Sequence, residues 1–408
     1  MSTMLPINKV VESVSITHKF DKPVLKFLNT SDVENGKIIN INHLPIDELK
    51  GQAKKTIQKH DILFSEIRPK NRRFAYVDID DTYDYVVSTK LMVLRNINPE
   101  VDNKYFYYFL TNDHMLSILQ DRAENRIGSF PQITFDLLSE YYIRVPKLAE
   151  QQKIASVLSA LDSKIELNNR INAELEAMAK TLYDYWFVQF DFPDKNGKPY
   201  KTSGGKMVWN EELKREIPDL EGWSVGTLLD IATYANGLPC QKFRPTGNDY
   251  LRVIKIREMN EGFTRNSELV RPNIPEKAII ENGDVLFSWS ASLEVKIWTG
   301  GKGALNQHIF KVSSGDYQKS FYYYQLLNYL QHFKMMAENR KTTMGHITQE
   351  HLQQSRIAIP PKELTKELEK IIAPIFSNKI NNEIENQKLT ELRDWLLPML
   401  MNGQVKVN

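Results

Sequence analysis

Asp61-Ile62-Leu63-Phe64-Ser65 recurs as Asp284-Val285-Leu286-Phe287-Ser288, 223 positions later. Four further matches follow in the same order. Tyr105-Phe106-Tyr107-Tyr108 answers Phe321-Tyr322-Tyr323-Tyr324 at an offset of 216. Ala123-Glu124-Asn125-Arg126 returns unchanged at Ala337-Glu338-Asn339-Arg340, at an offset of 214. Ile133-Thr134 returns as Ile347-Thr348, and Ile143-Arg144-Val145-Pro146 as Ile357-Ala358-Ile359-Pro360, also at 214. One short match is chance; five in one order, with slowly falling offsets, point to duplication. The falling offset places the extra residues in the first copy, as expected where loops vary on a shared scaffold.

Each copy has the same coarse anatomy. Short strand-like runs come first, at 24–28 and 91–94, then at 251–256 and 309–312. An aromatic-rich helical segment follows near 103–122 and 319–338. A polar loop comes next, at 126–132 and 340–346. Pro146 and Pro360 close the two units, and a long helix begins after each.

Residues 150–187 contain neither Pro nor Gly. Ile154, Leu158, Leu161, Ile165, Asn168, Asn172, Leu175, Ala179, Leu182 and Trp186 follow a 4-3-4-3 spacing. That is a heptad seam with two polar layers, at Asn168 and Asn172, suited to fixing register or partner. About 38 residues of helix span roughly 57 Å, long for one small domain. An amphipathic helix packed on its own domain is the alternative. The second helix, 361–401, carries Leu364, Leu368, Ile371, Ile375, Ile380, Ile384, Leu392, Trp395, Leu396 and Met399. Pro374 is expected to kink it and Pro398 to disturb its last turn. Two seams of similar length are natural antiparallel mates. The stretch 191–222, with Asn196-Gly197 and Gly204-Gly205, reads as a linker with hairpin turns. The expected fold class is therefore α+β. Two mixed α/β domains are separated by two long antiparallel coiled-coil helices, in a pseudo-two-fold internal repeat.

The 408 residues suit two or three domains at roughly 100–200 residues each. With 41% hydrophobic and 25% charged residues, a buried core rather than disorder is expected. The single cysteine, Cys240, rules out an intrachain disulfide and a Cys-rich zinc site. It fits a reducing compartment. No transmembrane run or signal peptide is expected, which makes the chain cytoplasmic and unattached to a membrane. No P-loop, GxGxxG, GxSxG or HExxH pattern occurs. No catalytic residue and no metal ligand is assigned. Pro193-Asp194 with Glu212-Leu213-Lys214 imitates the pattern of metal-dependent nucleases, but both parts fall in the polar linker.

With 53 Lys+Arg against 51 Asp+Glu, the formal net charge is only +2. The positions of the basic residues matter more than the sum. Arg68, Lys70, Arg72 and Arg73 crowd the loop after the first recurrent strand. The corresponding place in the second copy holds Ser288, Lys296 and Lys302. The later polar loops supply Arg126, Ser129 and Gln132, and then Arg340, Lys341, Thr342 and Thr343. Gln307 and His308 add amide and imidazole groups. Arg and Lys neutralise phosphates, and Arg and Gln also pair with base edges. These are the expected DNA contacts, and ordinary solvated surface charge is the plain alternative.

Several stretches stand out together: Phe64-Ser65-Glu66-Ile67-Arg68-Pro69, Lys164-Ile165-Glu166-Leu167-Asn168-Asn169, Trp186-Phe187 and Lys206-Met207-Val208-Trp209. The ending Leu392-Arg393-Asp394-Trp395-Leu396-Leu397-Pro398 and then Asn402-Gly403-Gln404 adds to them, as does Glu150-Gln151-Gln152-Lys153-Ile154. With these stretches the chain resembles the DNA specificity (S) subunits of type I restriction–modification systems. The resemblance implies two target-recognition domains, 1–148 and 223–360, each reading one half of a bipartite double-stranded DNA site. It implies that the helices 149–190 and 361–408, joined through a linker at 191–222, act as spacer and docking elements. Their seam residues Ile154, Leu158, Leu161, Ile165, Asn168, Asn172, Leu175, Ile380, Ile384, Leu392, Trp395 and Leu396 are the expected contacts. The partners implied are two modification (methyltransferase) subunits and restriction (motor-nuclease) subunits. S-adenosylmethionine, ATP and Mg²⁺ are expected on those partners, none on this chain, which is read as non-catalytic. Two other readings stay open: a nuclease using Asp194, Glu212 and Lys214, and a coiled-coil scaffold with no DNA role.

Overall fold

The computed structural model describes residues 2–49, 51, 53–125, 131–290, 292–339 and 346–407, with backbone alone at 53 and 339. The chain divides into two compact units. The first is Met1–Lys164 with Lys388–Asn408, and the second is Ile165–Gln387.

In the first unit the recurrent strand Ile62–Ser65 lies between Leu91–Asn96 and Phe74–Tyr76. Val11–Val14 completes this antiparallel sheet beyond Leu91–Asn96. All four residues of the recurrent strand are buried. Ile62 and Phe64 enter a core with the helical residues Tyr105, Leu116, Ile154 and Leu158. Leu63, on the opposite face, packs with Leu28 and Val87 of a second sheet. A strand covered on both faces needs an apolar residue at nearly every position, not at alternate ones. That requirement explains why Ile-Leu-Phe and Val-Leu-Phe mark the repeat. The second sheet runs Asn42–Pro45, Val24–Leu28, Tyr85–Ser88, Ala53–Lys55, and only its central pair is parallel. Thr3–Pro6 pairs separately with Tyr142–Val145.

The second unit repeats this plan strand for strand. One sheet runs Thr233–Asn236, Ile309–Ser313, Val285–Ser288, Glu294–Ile297, all antiparallel. The other runs Leu269–Val270, Leu251–Ile254, Gly303–Leu305, Ile279–Ile280, again parallel only at its centre. Ser224–Thr227 pairs with Arg356–Ile359. The recurrent strand again divides its residues between two cores. Val285 and Phe287 face the helices, and Leu286 faces Ile254 and Leu305 of the second sheet. The duplication read from five short matches is thus a duplication of topology.

The aromatic segments become helices on the same side of both units. In the first unit there are two, Asn103–Thr111 and Asp113–Glu124, divided where the Asn112 side chain accepts from the Met115 amide (2.8 Å) and caps the second. In the second unit a single helix spans Lys319–Asn339.

The first long helix is Leu148–Tyr183, followed by a wide π-helical turn, Asp184–Val188, that buries Trp186 and Phe187. The second is Lys362–Met401 and runs unbroken through Pro374 and Pro398. The disturbance expected at Pro398 does not occur. Its carbonyl still accepts from Asn402 (3.0 Å), and Leu397, Leu400 and Met401 anchor the turn in the first unit's core. Buried contacts on both sides compensate for the amide hydrogen bond that a proline removes.

The helices pair antiparallel within each unit. In the second unit Asn168 donates to Glu385 (2.7 Å) and Asn386 (2.9 Å), while Asn172 accepts from Asn382 (2.9 Å) and donates to the Lys379 carbonyl (3.3 Å). In the first, Arg393 donates to Asp162 (2.9 Å), which also accepts from the buried Tyr108 hydroxyl (2.7 Å). Both seam asparagines are buried. A slip of either helix would strand their amides without partners, which is how a polar layer sets register. Asn172→Ala is expected to cost about 1 kcal/mol in denaturant unfolding. The Asn172→Ala/Asn382→Ala double variant should cost less than the sum of the singles. Strict additivity would show that the pair is not coupled.

The rest of the expected seam is uneven. Ile154 and Leu158 are fully buried, whereas Leu161, Ile165, Leu175, Ile380, Ile384 and Leu396 are half-buried. Leu392 and Trp395 do not join the seam and are 42% and 58% exposed. The first unit takes this end of the helix through Leu397, Leu400 and Met401 instead, so Leu392 and Trp395 point elsewhere.

Candidate nucleic-acid interface

The chain leaving the recurrent strand is held by the same two main-chain hydrogen bonds in both units. The Glu66 amide donates to the Lys90 carbonyl (3.1 Å), and the Glu66 carbonyl accepts from the Ile133 amide (2.8 Å). The Trp289 amide donates to the His308 carbonyl (3.3 Å), and the Trp289 carbonyl accepts from the Ile347 amide (2.9 Å). The serine just before shapes the turn in each case. Ser65 Oγ accepts from the Ile67 amide (3.1 Å), and Ser288 Oγ accepts from the Glu294 amide (2.9 Å). Ser288 was an expected DNA contact. It is 0% exposed, and its hydroxyl also donates to the Ser292 carbonyl, so it builds the turn and offers nothing outward.

In the first unit a single 3-10 turn, Pro69–Asn71, follows, flanked by Arg68 (φ 46°) and Arg72 (φ 54°). Both are in the left-handed region that residues with a Cβ seldom occupy, so the surrounding contacts must impose the shape. The Arg68 amide donates to the Pro131 carbonyl (3.2 Å), and Ile67 bridges to Gln132. Two sequence-distant sites, Arg68 and Gln132, therefore meet on one edge. Arg68 is exposed, and its guanidinium has no ion-pair partner among the described residues. Lys70 is exposed, with its ammonium 3.9 Å from Asp121. Arg72 and Arg73 differ from both. Arg72 donates to Asn35 (2.7 Å) and pairs with Asp113, while Arg73 donates to the Ser31 carbonyl (3.3 Å) and pairs with Glu34 (3.3 Å). They fasten the loop to the Asn35-Gly36 turn and to the helix beginning at Asp113.

In the second unit the same edge is aromatic. The Trp289 indole N–H donates to Asn236 Oδ1 (3.0 Å). Its ring packs against His308, His346 and Phe310, with centroids at 5.6, 5.5 and 5.9 Å. Gln307 lies beside them, its amide 3.4 Å from the His308 ring. The lysines expected here lie away from this edge. Glu294–Ile297 runs back along Val285–Ser288 with Ser288 opposite Glu294, so Lys296 sits opposite Leu286. Lys302 returns to the beginning of the strand, where it pairs with Glu281 (3.3 Å).

Six expected contacts, Arg126, Ser129, Arg340, Lys341, Thr342 and Thr343, lie outside the described residues. The nuclease-like trio is otherwise engaged. Asp194 caps its own turn by accepting from the Asn196 and Lys198 amides (both 2.8 Å), and those bonds hold its carboxyl below the usual range. Glu212 pairs with Arg356 (3.4 Å) and Lys214 with Glu211 (2.9 Å). Among the described residues no group of three or more His, Cys, Asp or Glu is placed to hold a metal ion. No described helix is long and apolar enough to cross a membrane. Cys240 is buried, which pushes its thiol up to about 11.

A family model described as the type I restriction modification DNA specificity domain matches residues 10–177 and 220–394, one match for each copy of the repeat. The chain belongs to that specificity family. It is a specificity subunit of a type I restriction–modification system. It is similar to the HindI specificity subunit of Haemophilus influenzae, 31% identical over 96% of this chain and 97% of that one. It is also similar to the MjaIX specificity subunit of Methanocaldococcus jannaschii, 29% identical over 77% and 72%. A crystal structure of a type I system S subunit from M. genitalium shares the fold. Its TM-score is 0.56 at 16% identity, over 98% of this chain and 96% of that one.

In this specificity subunit, several residues at the two edges escape a search for basic clusters. They are Glu66 and Lys90 in the first unit, and Asn236, Trp289 and His346 in the second. Glu66 and Trp289 directly follow the recurrent strand and His346 directly precedes the recurrent Ile-Thr pair, whereas Lys90 and Asn236 stand beside none of the five matches. None belongs to a run of charge.

Proposed function

We propose that each unit reads one half of a bipartite, asymmetric double-stranded DNA site. The observation that carries this reading is the duplicated frame: the same two main-chain bonds present Glu66 and Lys90 in one unit, but Trp289 and His308 in the other. A constant scaffold with different side chains at one place is what reading two different sequences requires. In this reading the chain supplies no catalytic group and works in the cytoplasm. The long helices act as spacer and as docking surface for two modification subunits, which methylate adenine N6 with S-adenosylmethionine. Restriction subunits join with ATP and Mg²⁺. Exposed Leu167, Ile171 and Met178 on the first long helix, with Leu392 and Trp395 on the second, supply apolar surface for such docking. Arg68, Lys70 and Gln132 are the proposed DNA contacts of the first unit.

The test is single-molecule sequencing of methylated adenines in cells expressing this chain with its modification subunits. One bipartite motif is expected. Arg68→Ala should reduce methylation about tenfold at sites defined by one half, since one lost base or phosphate contact is worth about 1–3 kcal/mol. The other half should stay as specific as before. Equal loss of specificity in both halves would sink the assignment of one unit to each half. Mg²⁺-dependent plasmid cleavage by the purified chain, abolished by Asp194→Ala, would favour the nuclease reading instead.

A further inference from the structure

Trp289 is the least expected residue on the second unit's edge. Its neighbours along the strand, Val285, Leu286 and Phe287, are in the core, whereas Trp289 is only half-buried. Its ring packs against the rim of the unit's core, next to Phe310, and polar side chains also adjoin it: Asn236, His308 and His346, all exposed, with Gln307 beside His308. The indole N–H can only donate, so the atom of Asn236 that receives it must be the carbonyl oxygen. That bond fixes which way the amide faces. The Asn236 NH₂ and the second lone pair of its oxygen remain available, and no partner takes the NH₂ among the described residues.

We infer that Asn236, Trp289, Gln307 and His308 form the base-reading element of the second unit. It is directed at an A·T pair in the major groove. Three observations converge on this. The position is equivalent to Glu66 in the first unit, because the two framing hydrogen bonds are the same. Side-chain amides such as those of Asn236 and Gln307 pair bidentately with adenine N6 and N7, and an apolar ring face suits the thymine methyl group. The Trp289–Asn236 bond holds amide and ring as one rigid unit, so little side-chain freedom is lost on binding. Among the described residues the two lysines expected here stand elsewhere, Lys302 with Glu281 and Lys296 opposite Leu286. The inference rests on the proposed reading of one half-site by each unit.

The experiment uses the full chain with its modification subunits, and reads the methylated-adenine motif of Asn236→Ala, Trp289→Phe and the double variant. Asn236→Ala should relax selectivity at least ~5-fold at one A·T pair, in one half-site only. Trp289→Phe keeps a ring but loses the indole N–H, so it should relax the same pair. The double variant should relax that pair no more than the stronger single, because the two act as one unit. Asn236 is exposed, so its variant tests reading without disturbing a core. An unchanged motif overturns the inference, as does relaxation confined to G·C pairs or spread over both halves. Uniform weakening of all sites with no change of motif also overturns it, since that is the signature of a phosphate contact. If the wild-type complex yields no bipartite motif, the half-site reading itself fails. If it yields one and the variants leave it intact, only this inference fails.

Discussion

Asp61→Ala is expected to destabilise the first unit by about 3 kcal/mol or more, the cost of leaving a partly buried cation without its partner. Asp61 is 1% exposed, and its carboxylate accepts from Arg95 Nε (2.9 Å) and a terminal guanidinium nitrogen (2.8 Å). It also accepts from the Gln58 amide (2.8 Å), at the entry to the recurrent strand. The substitution removes all three acceptor contacts at once. In the second unit Asp284, at the place of Asp61, pairs with Lys311 (2.8 Å), which stands at the register position of Val93 and not of Arg95, and about a quarter of each side chain is exposed. Water there replaces much of what is lost, so Asp284→Ala should cost about 1 kcal/mol. Hydrogen exchange read by mass spectrometry separates the two units. Asp61→Ala should lower protection in Ile62–Ser65 and Leu91–Asn96 and leave Val285–Ser288 as in wild type. Unchanged protection in Ile62–Ser65 would refute the prediction. Asp61→Leu combined with Arg95→Met should recover most of the loss, because it is the orphaned charge and not the absent pair that is costly.

Gly237→Ala is expected to disorder the edge that carries Asn236. A Cβ at Gly237 would lie 2.3 Å from the carbonyl oxygens of both Leu305 and Asn306. Neither obstacle is the mobile end of a side chain. The same segment is tied in place by the Gly237 amide to the Ile309 carbonyl (3.2 Å) and the Leu238 amide to the Leu305 carbonyl (2.8 Å). To admit the methyl group, one strand must move and give up those bonds. Overpacking of this kind costs about 1–3 kcal/mol, and here lost hydrogen bonds add to it. The expected result is faster exchange in Thr233–Asn236 and Gly303–Leu305, with selectivity lost in one half of the methylated motif. Wild-type exchange and an intact motif would show that the backbone yields at little cost.

The strand after Asp61 and its copy after Asp284 were legible in the sequence because burial on both faces demands unbroken apolar residues. The first long helix was legible because its heptad spacing persists over many turns. Asn168 and Asn172 stood out as polar residues in an apolar seam, and they are the ones that bond across to the second helix. The basic loop 68–73 was visible as charge, but its internal division was not. Arg72 and Arg73 find Asn35, Asp113 and Glu34, partners about forty residues away that only folding brings close. Leu392 and Trp395 fit a heptad count and nevertheless face outward, because the core of the first unit grips that helix by a different side.

The sequence by itself determined the repeat, the fold class and the two long helices, since each depends on local periodicity and on which residues avoid water; the antiparallel pairing of the helices rests on tertiary contacts such as Asn168 with Glu385 and Arg393 with Asp162. The tertiary structure decided which side chains occupy the reading edge. That edge is built where Glu66 meets Lys90 and Ile133, and where Trp289 meets Asn236, His308 and Ile347. Its members come from strands and loops far apart in the chain. No periodicity marks them, because what they share is a pair of main-chain hydrogen bonds and not a residue type.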